Sequence, residues 1–87
     1  MARVFIPVLL RELTGGEAEA VVAGATVREL IATLEDRYPG IADRLTGDGR
    51  LRPNLAVAID GEVMPLGLRA PVEPSSEVHF VAAIKGG

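Results

Sequence analysis

Few side chains in this 87-residue sequence could carry out chemistry by themselves. There is one histidine, His79, and no cysteine, which excludes a disulfide framework, a thiolate zinc site, an iron–sulfur cluster and a cysteine nucleophile. Ser75 and Ser76 lie close to His79 in sequence, but a serine–histidine–carboxylate site also needs a third group and an oxyanion hole in a shaped cleft. Nothing in the pattern suggests these. We interpret His79 as a solvent-facing residue of a strand, with contact to a partner as the alternative.

The most informative chemistry lies on the backbone, because the sequence ends in Gly86-Gly87 directly after an alternating apolar segment. Two residues without a Cβ make a slim peptide that can enter a narrow channel, and an α-carboxylate is ionised at neutral pH. In the site of another enzyme, this carboxylate can attack the α-phosphate of ATP to give an acyl-adenylate. A sulfur nucleophile can then displace AMP and leave a thiocarboxylate. The plain alternative is a frayed chain end or a cloning remnant.

Length and composition limit what such a terminus could serve. A chain of 87 residues makes one domain, and its net charge of −3 argues against a nucleic-acid or anionic-membrane surface. Arg44, Arg50 and Arg52 alternate with acidic residues and glycines, which predicts a solvated loop and not a phosphate site. With one histidine and no cysteine we expect no bound metal. No stretch reaches the roughly 20 apolar residues of a membrane helix and no signal peptide is visible, so we expect a cytoplasmic protein without membrane association.

The first third of the chain has the pattern of a β-hairpin. Residues 4–10 are rich in apolar and β-branched side chains and predict a strand, in which Pro7 indicates an edge position or a point where no ladder donor is needed. Thr14-Gly15-Gly16 is a turn signal. Residues 17–22 then alternate between polar and apolar side chains, as a half-buried strand does.

A helix follows, because Thr26 and Glu29 have the spacing of a capping box. Its apolar stripe, at helical spacing, consists of Val27, Leu30, Ile31, Leu34 and Tyr38. Pro39-Gly40 ends it, since a proline disfavours helical geometry in the preceding residue. Residues 41–45 could add one short helical turn, and residues 46–53 read as a loop.

The remainder of the chain predicts strands. Residues 54–60 alternate, and Asp60-Gly61 is the pair that a type I′ hairpin turn requires, with a short return strand over residues 62–64. Residues 65–76 carry prolines, serines and a glycine and predict an irregular crossing. A final strand is expected over residues 77–84.

One amphipathic helix can cover only one face of a sheet, so this order predicts an α+β roll of the β-grasp type, a mixed sheet packed on one main helix. We expect this domain over residues 1–84 and a flexible tail over residues 85–87. The predicted core joins the helix stripe to Val57, Ile59, Val78 and Phe80. The uncovered face is expected to bind partners, as bare apolar faces often do. It is predicted to carry Ala56, Ala58, His79, Val81 and Ala83.

Several short motifs together have the pattern of a known family. They are Ile6-Pro7, Leu10-Arg11, Thr14-Gly15-Gly16, Leu34-Glu35, Tyr38-Pro39-Gly40-Ile41 and Arg44-Leu45, with the terminal Gly86-Gly87. Over nearly its whole length the chain resembles the ubiquitin-like sulfur carriers, a family that includes the small subunit of molybdopterin synthase (MoaD), the thiamine carrier (ThiS) and the cysteine-biosynthesis carrier (CysO). The pattern is nearest to the CysO type, and Leu10-Arg11-Glu12 echoes MoaD.

This resemblance implies that Gly87 is adenylated by an E1-like enzyme and converted to a thiocarboxylate, which donates sulfur to a biosynthetic enzyme. Lys85 and Gly86 would enter the partner's site with Gly87. The chain would then be a protein cosubstrate and not an enzyme, with no permanently bound cofactor, since the activating enzyme uses the ATP. The receiving pathway stays open among cysteine, molybdopterin, thiamine and related routes.

Three other functions remain open. The chain could be the small subunit of a synthase such as molybdopterin synthase, or a protein modifier that forms isopeptides with lysines. Lys85 stands where many bacterial carriers have a small residue, which implies either a more acidic receiving channel or a more modifier-like chain. A plain β-grasp interaction module would not require a free Gly87.

Overall fold

The computed structural model describes residues 1–83, and their elements follow the predicted order closely. In chain order the elements are β1 (Ala2–Phe5), a 3₁₀ helix (Val8–Thr14), β2 (Glu19–Val22), α1 (Val27–Arg37), α2 (Ile41–Leu45), β3 (Thr46–Gly47), β4 (Arg50–Leu51), β5 (Leu55–Ile59), β6 (Glu62–Val63), a second 3₁₀ helix (Gly67–Arg69) and β7 (Glu77–Ala82). Within residues 1–83, no helix is long and apolar enough to cross a membrane.

Five strands form one mixed sheet in the order β2-β1-β7-β5-β6. The central strand β7 runs parallel to β1 and antiparallel to β5. The helix α1 packs on one face of this sheet, while β3 and β4 form a separate two-stranded hairpin. This arrangement confirms the predicted α+β roll, in which a mixed sheet holds one main helix.

The core lies between α1 and the sheet, and the predicted core residues contribute to it. Val57 and Val78 have no exposed surface, and Ile59 and Phe80 are each 8% exposed. Four residues of the helix stripe are buried as well, and Tyr38 is half-buried against them. Burying one large aliphatic side chain contributes about 1.5–3 kcal/mol. The alternation read from the sequence therefore assigned the two faces of β5 and β7 correctly.

The prediction of a strand through residue 10 is wrong after Phe5. Pro7 has no N–H to donate and lies immediately before the 3₁₀ helix Val8–Thr14. Its position past the end of the ladder fits the second of the two interpretations, since β1 lies inside the sheet and not at an edge. As a result, Val8 and Leu9 are 71% and 80% exposed. The predicted antiparallel pair is present, but the 3₁₀ helix lies within its connection.

Two Asp-Gly pairs turn the chain in the same way. Asp60 and Gly61 have φ angles of 52° and 87°, the two positive values that a type I′ turn requires, and they join β5 to β6 as predicted. Asp48 and Gly49 have φ angles of 53° and 75° and join β3 to β4. Residues 46–53, predicted as a loop, therefore contain a short hairpin.

The start of α1 confirms the capping pattern, except that the Glu29 side chain bonds to Ala25 and not to Thr26. The Thr26 hydroxyl accepts a hydrogen bond from the Glu29 amide at 3.3 Å. The Glu29 carboxylate accepts from the amide of Ala25, one residue before the cap, at 2.9 Å. Two amide donors at the helix start are thus satisfied, which fixes where α1 begins.

Glu35, near the end of α1, closes the connection to α2. Its carboxylate accepts hydrogen bonds from the amides of Gly40 at 3.0 Å and Ala42 at 2.9 Å. The hydrogen bond from the Gly40 amide has the largest effect on the pKa of Glu35, and the bond from the Ala42 amide has the next largest. Together they hold this pKa below its ordinary value, against a smaller opposing effect of burial. The charged carboxylate is therefore the form that stabilises this corner.

Replacement of Glu35 should make the stability difference depend on pH. A lowered folded pKa gives stability that is present above the unfolded pKa of about 4.3 and is lost as the pH falls through the folded value. We expect Glu35→Gln to lower the melting temperature at pH 7, and the difference from the unmodified protein to shrink below about pH 4. Thermal unfolding over a pH series measures this. A difference that stays constant into acid would contradict the assignment.

Candidate functional site

The root of the C-terminal segment is fixed by a backbone hydrogen bond. β7 ends at Ala82, and the Ala83 amide donates to the Asn54 carbonyl at 3.0 Å. This bond continues the antiparallel pairing of β7 with β5 by one residue. Three predictions fall outside the described residues. They are the placement of Ile84 in the last strand, the functional roles of Lys85, Gly86 and Gly87, and the flexible tail over residues 85–87.

The sheet face opposite α1, here called the open face, carries the other residues singled out from the sequence. Side chains alternate between the faces of a strand, so the buried Val57, Val78 and Phe80 place their neighbours on this side. The cross-strand register sets Ala58 beside His79 and Ala56 beside Val81. Ala83, half-buried, lies just beyond the end of β7.

The centre of the open face is an aromatic stack. Phe5 lies beside His79 in the parallel register of β1 and β7, with ring centroids 4.1 Å apart and ring planes 5° from parallel. The pair forms a flat platform between β2 and β5. Phe5 was missed from the sequence, although its alternation with the buried Val4 was a signal that could have assigned it to this face.

The serine–histidine arrangement weighed from the sequence does not form. Ser76 is 3% exposed, and its hydroxyl accepts a hydrogen bond from the Glu73 amide at 3.1 Å. It therefore fills a turn before β7 and is not presented next to the His79 ring. Ser75 lies in the same turn, exposed to solvent.

The open face is graded from charged to apolar along β7. At its start, Arg3 lies 3.6 Å from Glu19 and 3.6 Å from Glu77. Toward the end of β7, where residue 83 leads into the C-terminal segment, Val81 and Ala56 replace these charges. The apolar part of the open face therefore lies nearest Ala83, the last residue that the structure describes.

A groove of about 460 Å³ lies beside the same end of the sheet. Leu9, Leu55 and Asn54 line it together with Arg44 and Arg52. Leu9 was missed as a surface residue because residues 4–10 read as one apolar strand. Its exposure places a large apolar side chain close to the root of the C-terminal segment.

In the part of the chain that the structure describes, no group of three or more His, Cys, Asp or Glu side chains could hold a metal ion. The described residues form an open face with the Phe5–His79 platform at its centre. Its apolar end lies beside Ala83, whose backbone is held by the hydrogen bond to Asn54.

Comparison with known proteins assigns this arrangement to a family. The family model described as the ThiS family matches residues 4–87. The sulfur carrier proteins CysO of Mycobacterium tuberculosis and Mycobacterium bovis are each 30% identical over 89 residues, which cover 97% of this chain and 96% of theirs.

Solved structures show the same fold. A chain of the Amycolatopsis orientalis BexX/CysO complex superposes with a TM-score of 0.90 at 35% identity, and each chain covers 100% of the other. M. tuberculosis CysO gives 0.87 at 28% identity, covering 97% of this chain and 100% of its own. SAMP1 from Haloferax volcanii gives 0.72 at 25% identity, covering 99% and 98%. A family match that runs to residue 87, with relatives covered almost end to end, shows that the chain belongs to the ThiS family of ubiquitin-like sulfur carriers.

Proposed function

We propose that this chain carries sulfur as a thiocarboxylate on Gly87. The observation that carries the proposal is the extent of the family match, which runs over residues 4–87 and so includes Gly86-Gly87. The exit of the C-terminal segment beside the apolar end of the open face supports it. A partner docked on that surface would hold the terminus next to its own active site.

The proposed loading has two steps. First, a carboxylate oxygen of Gly87 attacks the α-phosphorus of ATP in an E1-like enzyme, and pyrophosphate leaves. Second, hydrosulfide attacks the acyl carbon, the bond from that carbon to the AMP oxygen breaks, and AMP leaves with one proton released to solvent. The product is a C-terminal thiocarboxylate, and no electrons are transferred. The chain acts as a cosubstrate, and the partner supplies the catalytic groups and the ATP.

The chain's own contribution is to anchor the backbone at Ala83, from which the C-terminal segment continues. Four residues follow Ala83, and an extended chain spans at most about 3.3–3.6 Å per residue, so the carboxylate reaches no more than about 14 Å from the root. The partner's site must therefore lie close to the open face. We propose two such partners, the activating enzyme and a biosynthetic enzyme that accepts the sulfur. The Amycolatopsis orientalis BexX/CysO complex is an assembly of a CysO relative with another protein.

The test is to purify the protein from its own host and trap a thiocarboxylate with an alkylating or sulfonyl-azide reagent. A change of mass alone is ambiguous, because Met1 and Met64 can each gain an oxygen, which matches the mass change from oxygen to sulfur. We expect a labelled species whose label maps to Gly87. If no such species forms, even with the activating enzyme, ATP and sulfide supplied, the carrier function is wrong.

A modifier function is the second candidate, on the similarity to Haloferax volcanii SAMP1, a small archaeal modifier protein. Lys85 makes the test direct, because trypsin cuts after lysine and would leave Gly86-Gly87 on the target lysine. Tryptic peptides of host proteins that carry this remnant, and lose it when the gene is deleted, would establish conjugation. Labelled thiocarboxylate without such remnants would leave the carrier function alone.

A further inference from the structure

A second surface lies at the β5–β6 edge of the sheet, where three arginines from distant parts of the chain surround one cleft. Arg28 comes from α1, Arg50 from β4 and Arg69 from the second 3₁₀ helix. The cleft, here called the arginine cleft, has a volume of about 470 Å³. It opens beside Leu55 and Ala56, because β6 pairs with the last two residues of β5.

The arginine cleft is positive although the whole protein carries a net charge of −3. None of the described residues that line it is acidic. The ion pairs within residues 1–83 involve Arg3 and Arg44, while Arg28 reaches the Gly49 carbonyl at 3.5 Å and is otherwise solvated. All three cleft arginines are exposed. Within residues 1–83 these three arginines form no ion pair, so their charges are available to an external anion.

Between the three cations the cleft is apolar. Leu51, Met64 and Leu68 line its interior, and each is buried or half-buried. Val63 and Leu66 line it as well and are 59% and 53% exposed. A ligand that matches this surface carries negative charges and large apolar groups together.

We propose that the arginine cleft docks an acidic, leucine-rich segment of the enzyme that activates the C-terminus of this chain. Charge complementarity selects an acidic protein segment over RNA, because the protein is acidic overall and within residues 1–83 no aromatic side chain lines the cleft to stack bases. Its position supports the same occupant. Leu55 pairs with Ala82 at the root of the C-terminal segment, and Ala56 belongs to both the cleft and the open face. In identifying the partner, the inference rests on the proposed function.

The direct test uses an acetylated octapeptide of alternating glutamate and leucine, titrated into the labelled protein by NMR. We expect shifts centred on Val63, Leu66 and Arg69, a Kd on the order of 1 mM at low salt, and weaker binding as salt rises. Arg50→Gln with Arg69→Gln should raise the Kd about 5- to 30-fold, the range that two partly exposed ion pairs allow.

Two controls decide the outcome. The matched double variant Arg37→Gln with Arg44→Gln removes the same charge outside the cleft and should change the Kd less than about 2-fold. A peptide with glutamine in place of glutamate should not bind. Any of four results would overturn the proposal. They are an equal loss of peptide affinity in both double variants, binding of the glutamine peptide, displacement of the glutamate peptide by a short oligouridylate, and no chemical-shift changes at about 1 mM peptide.

A second readout separates this inference from the carrier function. With the activating enzyme, the cleft double variant should raise the KM for the carrier and leave kcat for thiocarboxylate formation unchanged, since no cleft residue belongs to the terminus. An unchanged KM would overturn the cleft as the docking site while leaving the carrier function intact. Absence of any thiocarboxylate on the unmodified protein would overturn the carrier function, and the peptide titration would still decide whether the cleft binds acidic segments.

Discussion

A variant with one serine added after Gly87 is expected to form no thiocarboxylate and to unfold at the same temperature as the unmodified protein. The added residue converts the Gly87 carboxylate into an amide, which cannot attack ATP. The new terminal carboxylate lies one residue further out and carries a side chain that a channel shaped for two glycines excludes. Stability should not change, because the buried core of the described domain extends from Ala2 to Phe80.

The matched control adds the same serine before Met1, which is 70% exposed. This variant should load sulfur as the unmodified protein does, measured by trapping with a sulfonyl azide and mass spectrometry after incubation with the activating enzyme, ATP and sulfide. Normal loading of the C-terminally extended variant would show that the reactive group is not the Gly87 carboxylate. A lowered melting temperature of that variant would show that the terminus stabilises the fold.

Local signals in the sequence predicted most of the architecture. The capping pair Thr26 and Glu29, the turn at Asp60-Gly61 and the alternation along β7 each depend on residues close in sequence, and the structure confirms all three. The apolar run through residues 4–10 was ambiguous, because such a run fits a strand or a short helix equally well. Pro7 resolved it by ending the ladder.

The features that sequence patterns could not supply are those made by distant elements. The Phe5–His79 stack exists because β1 and β7 pair in parallel, and no local pattern fixes that register. Arg50 read as part of a solvated loop; its side chain is exposed, but the residue lies in β4 of a short hairpin. It becomes part of a positive cleft when Arg28 and Arg69 are brought beside it. The turn at Asp48-Gly49 was not predicted, because residues 46–53 read as a loop: its two-residue strands lack the flanking apolar alternation that indicates a hairpin.

Val81→Asp is expected to weaken binding to the activating enzyme by at least about 30-fold, which corresponds to about 2 kcal/mol at a central interface position. Val81 lies on the apolar end of the open face, beside Ala56 and next to the exit of the C-terminal segment. A carboxylate there would lose its water on docking, and its cross-strand neighbour Ala56 offers no cation to pair with. Surface plasmon resonance with immobilised activating enzyme measures the change directly.

The fold should survive this substitution. Val81 is 37% exposed, and exchanges at such strand positions span about 1 kcal/mol, against roughly 4–13 kcal/mol for a domain of this size. Val21→Asp is the matched control, because Val21 is 46% exposed and lies on the same face at its charged end, paired with Arg3. It should weaken binding less than about 3-fold. Equal effects at the two positions would mean that the partner contacts the whole open face and not only its apolar end. Normal binding of Val81→Asp would show that the open face is not the docking surface.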